Sequence, residues 1–198
     1  MKHPARFFPP TLLLVALFVL SACGPSSTVR LLHRPADASQ ILASTAPSVS
    51  VVQLKDVRTQ SYIGVRRDNT PFIPNDAVAE WVTRSLADAL ARQGLRVTYA
   101  QTLEAARASQ SPPQYILMGE LQELWIQESS STAISASVKA FISVTGHKGR
   151  LINEGVTSTL SKQGLPASSA AEELLYNTVQ DMVQSVARKT QQAIAAQQ

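Results

Sequence analysis

The chain has 198 residues and carries 18 Lys and Arg against 14 Asp and Glu, a formal net charge of +4. Two of these basic residues precede Cys23, so the part that begins at Cys23 has 16 against 14, or +2. That part has no basic run with interleaved aromatic residues, so it is not expected to bind nucleic acid. Cys23 is the single cysteine, which excludes an internal disulfide framework.

The N-terminus has the three-part layout of a secretory signal. A short basic start precedes an unbroken apolar run over residues 12–20, and small residues follow it. A transmembrane helix is the alternative, but spanning a bilayer takes about 20 predominantly apolar residues. Residues 11–22 are only 12 long, and Pro9-Pro10 would break a helix extended towards the N-terminus. We therefore predict that residues 1–22 are a signal peptide.

The segment Leu20-Ser21-Ala22-Cys23 resembles the lipobox of bacterial lipoproteins. In that family the cysteine thiol takes a diacylglyceryl group, the signal is cut before the cysteine, and the new amine is acylated. The resemblance implies cleavage between Ala22 and Cys23 and lipidation of Cys23, which anchors the protein stably because several acyl chains insert. Gly24 follows in place of Asp, and by resemblance to enterobacterial sorting this implies an outer-membrane, periplasm-facing location.

Residues 23–48 are rich in Pro, Ser and Thr, which predicts a flexible linker behind the lipidated cysteine. A linker of about 25 residues reaches at most roughly 80 to 90 Å, enough to hold the domain well away from the bilayer. In an alternative, Val29 and Leu31 attach a short strand to the domain and shorten this linker. The remaining residues 49–198 predict a single α/β periplasmic domain.

The first half of this domain predicts a strand, a long loop, a helix and a second strand. An apolar run over residues 49–54 predicts a buried strand. Asn75 is expected to cap a helix of about 18 residues, and Gly94 is expected in the left-handed position after its last turn. Residues 95–99 alternate as a strand, which a right-handed crossover would place parallel to the first.

The second half predicts three longer strands between residues 115 and 160 and one long C-terminal helix. The middle strand alternates apolar and polar residues, as a half-buried antiparallel strand does, and residues 146–149 predict a hairpin turn. Ser169 and Glu172 predict a capping box at the start of the helix. The pattern as a whole predicts an α+β fold, a mixed sheet of four to five strands with two main helices.

No arrangement of side chains in the sequence indicates catalysis. Beyond the signal, the chain has only His33 and His147, one in the predicted linker and one in a turn, with no acidic cluster beside either. We therefore expect no metal site, no cofactor and no enzymatic activity. An unrecognised hydrolase is the alternative, and it would need a pocket with convergent polar groups.

One cluster of charged residues follows the first predicted strand of the domain. Its members are Asp56, Arg58, Arg66, Arg67 and Asp68. Because loops on a rigid scaffold often carry function, this cluster predicts an interaction surface. In the structural alternative, Asp56 and Arg58 pair with each other or cap the helix start at Asn75.

Two segments, VVQLKDVR (residues 51–58) and IGVRRD (residues 63–68), followed by the helix that ends at Gly94, resemble the YajG-type bacterial lipoproteins. This resemblance implies an outer-membrane lipoprotein without a settled biochemical function. The architecture resembles, more distantly, the auxiliary lipoproteins of lipid-transporting ABC systems. We expect a lipid-anchored accessory protein that docks an envelope partner. The alternatives are an ABC auxiliary protein with an apolar groove and a regulator of a peptidoglycan synthase.

Overall fold

The computed structural model describes residues 27–34, 45–109, 111–164 and 167–197. The predicted signal peptide, its cleavage point after Ala22 and the predicted lipidation site Cys23 lie outside the described residues. The strands are β1 (Thr28–Val29), β2 (Ser48–Val52), β3 (Lys55–Asp56), β4 (Gly64–Val65), β5 (Ile73–Pro74), β6 (Arg96–Ala100), β7 (Tyr115–Ser130), β8 (Ala133–Gly146) and β9 (Gly149–Gln163). The helices are α1 (Val78–Arg92), α2 (Leu103–Arg107) and α3 (Ser168–Ala195).

Seven of the described strands form one mixed sheet, and β1 and β5 form a separate pair. The main path is β6-β2-β7-β8-β9, in which β2 is parallel to β6 and β7, and the last three strands are antiparallel. The predicted α+β fold is confirmed. The sheet exceeds the expected four to five strands because β3 and β4 also pair with β7. Each of these is two residues long, too short to show a periodicity in the sequence.

The first unit of the domain is the predicted strand, helix and strand. β2 and β6 are parallel, with Val49 opposite Val97, and α1 connects them on one face of the sheet. Gly94 lies just after the last turn of α1 with a φ of +82°, the left-handed conformation expected of a residue in this position. The predictions of a parallel crossover and of its glycine stop are confirmed.

The core lies between the sheet and the helical layer that α1 and α3 form. Every second residue of β8 between Ile134 and Val144 is buried, and the residues between them are partly or fully exposed. The alternation in the sequence is therefore the alternation of the two sheet faces. The turn at residues 146–149 joins β8 to β9 as predicted. The face of β7, β8 and β9 that points away from α1 and α3 is open to solvent along much of its length.

The longest helix described, α3, has 28 residues, and those that are buried recur at intervals of three and four positions. It packs against α1, β8 and β9. No helix in the described part of the chain is both long enough and apolar enough to cross a membrane.

The two long helices begin in a different way from the prediction. An alanine precedes each of them, and neither alanine makes a side-chain capping hydrogen bond. Asn75 accepts a hydrogen bond from the backbone N–H of Leu31, and Glu172 accepts hydrogen bonds from Arg30. The predicted cap at Asn75 and the predicted capping box of Ser169 and Glu172 are therefore wrong. Both acceptor side chains bind a segment near the N-terminus instead.

Candidate functional site

Residues 27–34, which we name the N-terminal strap, pack in the groove between α1 and α3. Val29 is fully buried and Leu31 is 8% exposed, and both belong to the main hydrophobic core. These are the two residues that the sequence left open as an anchoring strand within the predicted linker. Their burial removes apolar surface from water and attaches the strap to the helical layer.

Backbone hydrogen bonds hold the first half of the strap. The N–H of Ile73 donates to the carbonyl of Ser27 over 2.9 Å, and the N–H of Asn75 donates to the carbonyl of Val29 over 3.1 Å. The side-chain oxygen Oδ1 of Asn75 then accepts from the N–H of Leu31 over 3.0 Å. The strap thus forms strand β1, which pairs in parallel with β5 in the segment that leads into α1.

Side-chain hydrogen bonds connect the strap to both helices. Glu172 of α3 accepts from the backbone N–H of Arg30 over 3.2 Å, and from its Nε and Nη2 over 3.1 Å each. Trp81 of α1 donates its indole Nε1–H to the carbonyl of Leu32 over 2.9 Å. Arg30 is the more exposed partner, with 70% of its side chain accessible against 7% for Glu172. The strap therefore bridges the two helices.

The far end of the strap makes two further contacts. The Nε2 of His33 lies 3.4 Å from the Oδ2 of Asp88 in α1, and the guanidinium of Arg34 lies 4.7 Å from the ring centroid of Tyr176 in α3. Asp88 comes 55 residues after His33, so sequence spacing contains no signal for this contact. No group of three His, Cys, Asp or Glu in the described ranges could hold a metal ion.

An open cleft of about 360 Å³ lies beside the strap at the start of α1. It is lined by Leu31, His33, Asp76, Ala77, Glu80, Trp81 and Arg84. Its wall combines two carboxylates, one imidazole, one guanidinium and one indole. Its chemistry suits the binding of a polar group.

The structure places the five predicted interaction residues in two separate locations. Asp56 ends β3, beside Leu121 of β7. Arg66, Arg67 and Asp68 follow β4, which pairs with Ile126 and Gln127 of β7. These positions on β7 are five to six residues apart, roughly 17 to 20 Å at the rise of a strand. The five residues therefore do not form one surface.

Asp56 and Arg58 form the local pair that the structural alternative describes. The Nε and Nη2 of Arg58 donate to the two carboxylate oxygens of Asp56 over 3.0 and 2.8 Å. Burial alone would raise the pKa of Asp56, but the hydrogen bonds from Arg58 outweigh it and hold that pKa below its usual value. The Arg58 side chain is 10% exposed, and its Nη1 has no hydrogen-bond partner among the described residues.

Two aromatic side chains lie close to Arg58 on the open face of the sheet. The rings of Tyr62 and Trp125 are 5.7 Å apart and tilted by 52°. Together with Arg58 they line a concavity of about 60 Å³. We name Arg58, Tyr62 and Trp125 the arginine–aromatic patch. The two aromatic residues are 63 positions apart and belong to different elements, so sequence spacing contains no signal for this pair.

Arg66 is a buried structural residue. Its Nη1 donates to the Oε1 of Glu128 over 2.9 Å, and the two side chains are 6% and 9% exposed. Its guanidinium also lies 4.7 Å from the ring centroid of Phe72. The carboxylate of Asp68 accepts from the N–H of Thr70. Of the three predicted interaction residues after β4, only Arg67 and Asp68 have side chains exposed to a partner.

Comparison with models of known protein families and with curated proteins gives no match to this chain. Among solved structures, the fold is similar to that of protein XCC0632 from Xanthomonas campestris, of family DUF330. That similarity has a TM-score of 0.56 at 11% identity and covers 86% of this chain and 99% of that one. It is also similar to the hypothetical protein CT253 from Chlamydia trachomatis, with a TM-score of 0.52 at 10% identity, over 76% and 99% of the two chains. At these identities the similarity shows a shared fold alone.

Glu172 should stabilise the strap in a pH-dependent way. Its hydrogen bonds from Arg30 outweigh its burial and lower its pKa from 4.5 in the folded state. Its contribution to stability is then fully present above about pH 4.5 and is lost as the pH falls through the folded-state pKa. We expect Glu172→Gln to lower the urea midpoint at pH 7, and the difference from wild type to shrink below pH 4.5. Glu173→Gln, which affects an exposed neighbour that pairs with Lys162, should have a smaller effect. Equal midpoints for Glu172→Gln and wild type at pH 7 would contradict this role.

Arg66→Ala should destabilise the domain by about 3 to 5 kcal/mol, because it removes the cationic partner of the buried Glu128 carboxylate. The double variant Arg66→Met, Glu128→Leu should recover most of this loss, since it removes both charges. Arg67→Ala is the control, and its exposed side chain predicts a change within about 0.5 kcal/mol. Urea unfolding of the four proteins measures these differences. A loss at Arg66 no larger than that at Arg67 would show that Arg66 is not structural.

Proposed function

We propose that this protein is a bacterial envelope lipoprotein, anchored in the outer membrane by lipid on Cys23, that acts as a non-enzymatic accessory protein. The observation that carries this proposal is the lipobox-like segment directly after a short apolar run. The strap supports it, because the folded domain starts four residues after Cys23 and is therefore positioned for a lipid anchor. Gly24 supports the outer-membrane location.

A binding role rather than catalysis agrees with how the charged residues are used. Arg66 and Glu128 pair inside the domain, and Asp56 occupies two nitrogens of Arg58. What remains for a partner is the arginine–aromatic patch, in which the rings of Tyr62 and Trp125 line a concavity beside Arg58. Arg, Tyr and Trp are the residue types that dominate binding energy at protein interfaces. We infer that this patch contacts an envelope protein through the rings of Tyr62 and Trp125.

Membership of the YajG-type lipoproteins is part of this proposal, supported by residues 51–58 and 63–68. An auxiliary protein of a lipid-transporting ABC system is a second candidate. The apolar groove between α1 and α3 favours it, since displacement of Val29 and Leu31 would expose an apolar surface. Regulation of peptidoglycan synthesis is a weaker candidate because it relied on the reach of a 25-residue tether. Only three residues lie between Cys23 and the strap.

Cys23→Ala should abolish incorporation of labelled palmitate and release the protein from the membrane fraction or leave its signal uncleaved. The loss follows because alanine has no thiol to accept the diacylglyceryl group. Ser26→Ala, outside the lipobox-like segment, should be labelled and fractionate as wild type does. Gly24→Asp should move the protein to the inner membrane. Labelled, membrane-bound Cys23→Ala protein would refute the lipid anchor.

Arg58→Ala should remove the partner while preserving the fold. The Asp56 side chain is 37% exposed, so water can solvate its carboxylate in the absence of Arg58 and the thermal transition should move little. Affinity capture of the lipidated protein from crosslinked envelopes, followed by mass spectrometry, identifies the partners of each variant. Arg150→Ala, at an exposed arginine at the start of β9, is the matched control and should keep the wild-type partners. A large stability loss in Arg58→Ala would instead assign Arg58 a structural role, and unchanged partners would exclude the patch.

A further inference from the structure

We propose that a four-residue tether holds one edge of the domain against the bilayer surface. This edge consists of Ser27, residues 67–70 and Ile73, and we name it the proximal edge. The inference rests on the proposed lipidation of Cys23 and adds an orientation to the proposed location. The partner is the headgroup region of a phospholipid leaflet.

The reach of the tether limits how far this edge can stand from the membrane. Ser27 follows Cys23 by four residues, which span at most about 14 Å when fully extended. The interfacial region of a bilayer is roughly 5 to 8 Å thick on each side of the hydrocarbon. A domain held at Ser27 therefore stays within contact range of the headgroups.

The direction of the strap determines which edge faces the membrane. β1 runs parallel to β5, away from Ser27 and along the helical layer towards His33. Ser27, the first described residue, therefore lies at the end of the strap opposite to His33. The loop at residues 67–70 lies at that same end, since it joins β4 to β5, and the backbone of Arg66 closes it on Thr70 over 2.8 Å.

The strap transmits this orientation to the whole domain. Glu172 fixes the strap to α3, and Trp81 and Asn75 fix it to α1 and to the segment before it. Movement of the strap relative to the helices would have to break these bonds or expose Val29 to water. The proximal edge and the rest of the fold therefore turn as one unit.

The exposed side chains of the proximal edge suit a phospholipid surface. Ile73 is 42% exposed, one of two large apolar side chains so exposed among the described residues. Arg67 is exposed in the loop at residues 67–70 and can approach lipid phosphates, while Asp68 offsets its charge. Because these charges balance, the tether and not electrostatic attraction maintains the contact. The contact should therefore be insensitive to salt.

The other exposed apolar residue gives a matched control position. Tyr99 is 40% exposed and lies level with Val51 and Leu117 in the sheet. Ile73 directly follows Phe72, whose N–H donates to the carbonyl of Gly64. Gly64 in turn lies level with Ile126 in the sheet. Nine residues of β7 separate the two levels, about 30 Å at the rise of a strand. Ile73 and Tyr99 therefore report on opposite ends of the domain.

Fluorophores at Ile73→Cys and Tyr99→Cys test the orientation in the full-length, lipidated protein. Cys23 is the only native cysteine, and its sulfur, joined to the diacylglyceryl group as a thioether, would not react with the label. Each protein is reconstituted into vesicles of phosphatidylethanolamine and phosphatidylglycerol that carry a nitroxide quencher on a fraction of the headgroups. We expect quenching at position 73 to exceed that at position 99 several-fold, at low and high salt alike. Equal quenching at the two positions, or stronger quenching at 99, would overturn the proposal.

Vesicle flotation separates failure of the anchor from failure of the orientation. Protein that does not float with vesicles would refute the lipid anchor itself, whereas floating protein with equal quenching refutes only the orientation. An insertion of about 20 Gly and Ser residues between Pro25 and Ser26 lengthens the tether to an end-to-end distance of roughly 25 to 30 Å. Quenching at position 73 should then fall towards that at position 99. Unchanged quenching would show that the tether does not set the orientation.

Discussion

Burial of Val29 and Leu31 between α1 and α3 is the interaction on which the placement of this domain depends. Each side chain fills apolar space that the two helices would otherwise leave open to water, which is favourable by roughly 1.5 to 3 kcal/mol for a fully buried side chain. The hydrogen bonds from Arg30 to Glu172 and from Trp81 to Leu32 add direction to this burial. A segment whose composition resembles a linker thereby becomes part of the core.

This constraint changes the function that the protein can perform. A flexible linker of 25 residues would let the domain search a wide volume, as a regulator of distant enzymes must. With the strap in place, the proposed lipid anchor would keep the domain near the membrane and present the open face of β7, β8 and β9 in a defined direction. The arginine–aromatic patch lies on that face, so its proposed partner is expected to be close to the same membrane.

Local patterns in the sequence predicted those parts of the fold that local forces determine. The alternation in β8, the hairpin at residues 146–149 and the left-handed Gly94 each depend on neighbouring residues. The strap depends on partners 44, 49 and 142 residues away, and no local pattern contains them. Asn75 and Glu172 have the spacing of helix caps, yet these distant partners compete successfully for their oxygens. The same distance explains why Arg66 was identified as a charged residue but not as the buried partner of Glu128.

Hydrogen exchange at the strap tests the central claim most directly. In the lipidated protein, the N–H of Leu31 is bonded to Asn75 and the N–H of Asn75 is bonded to Val29. Both amides should exchange many-fold more slowly than in an unfolded peptide, because exchange requires the strap to open. Exchange of residues 28–32 at the rate of an unstructured chain would show that this segment is the flexible linker its composition suggests. The short tether and the fixed orientation would then both be refuted.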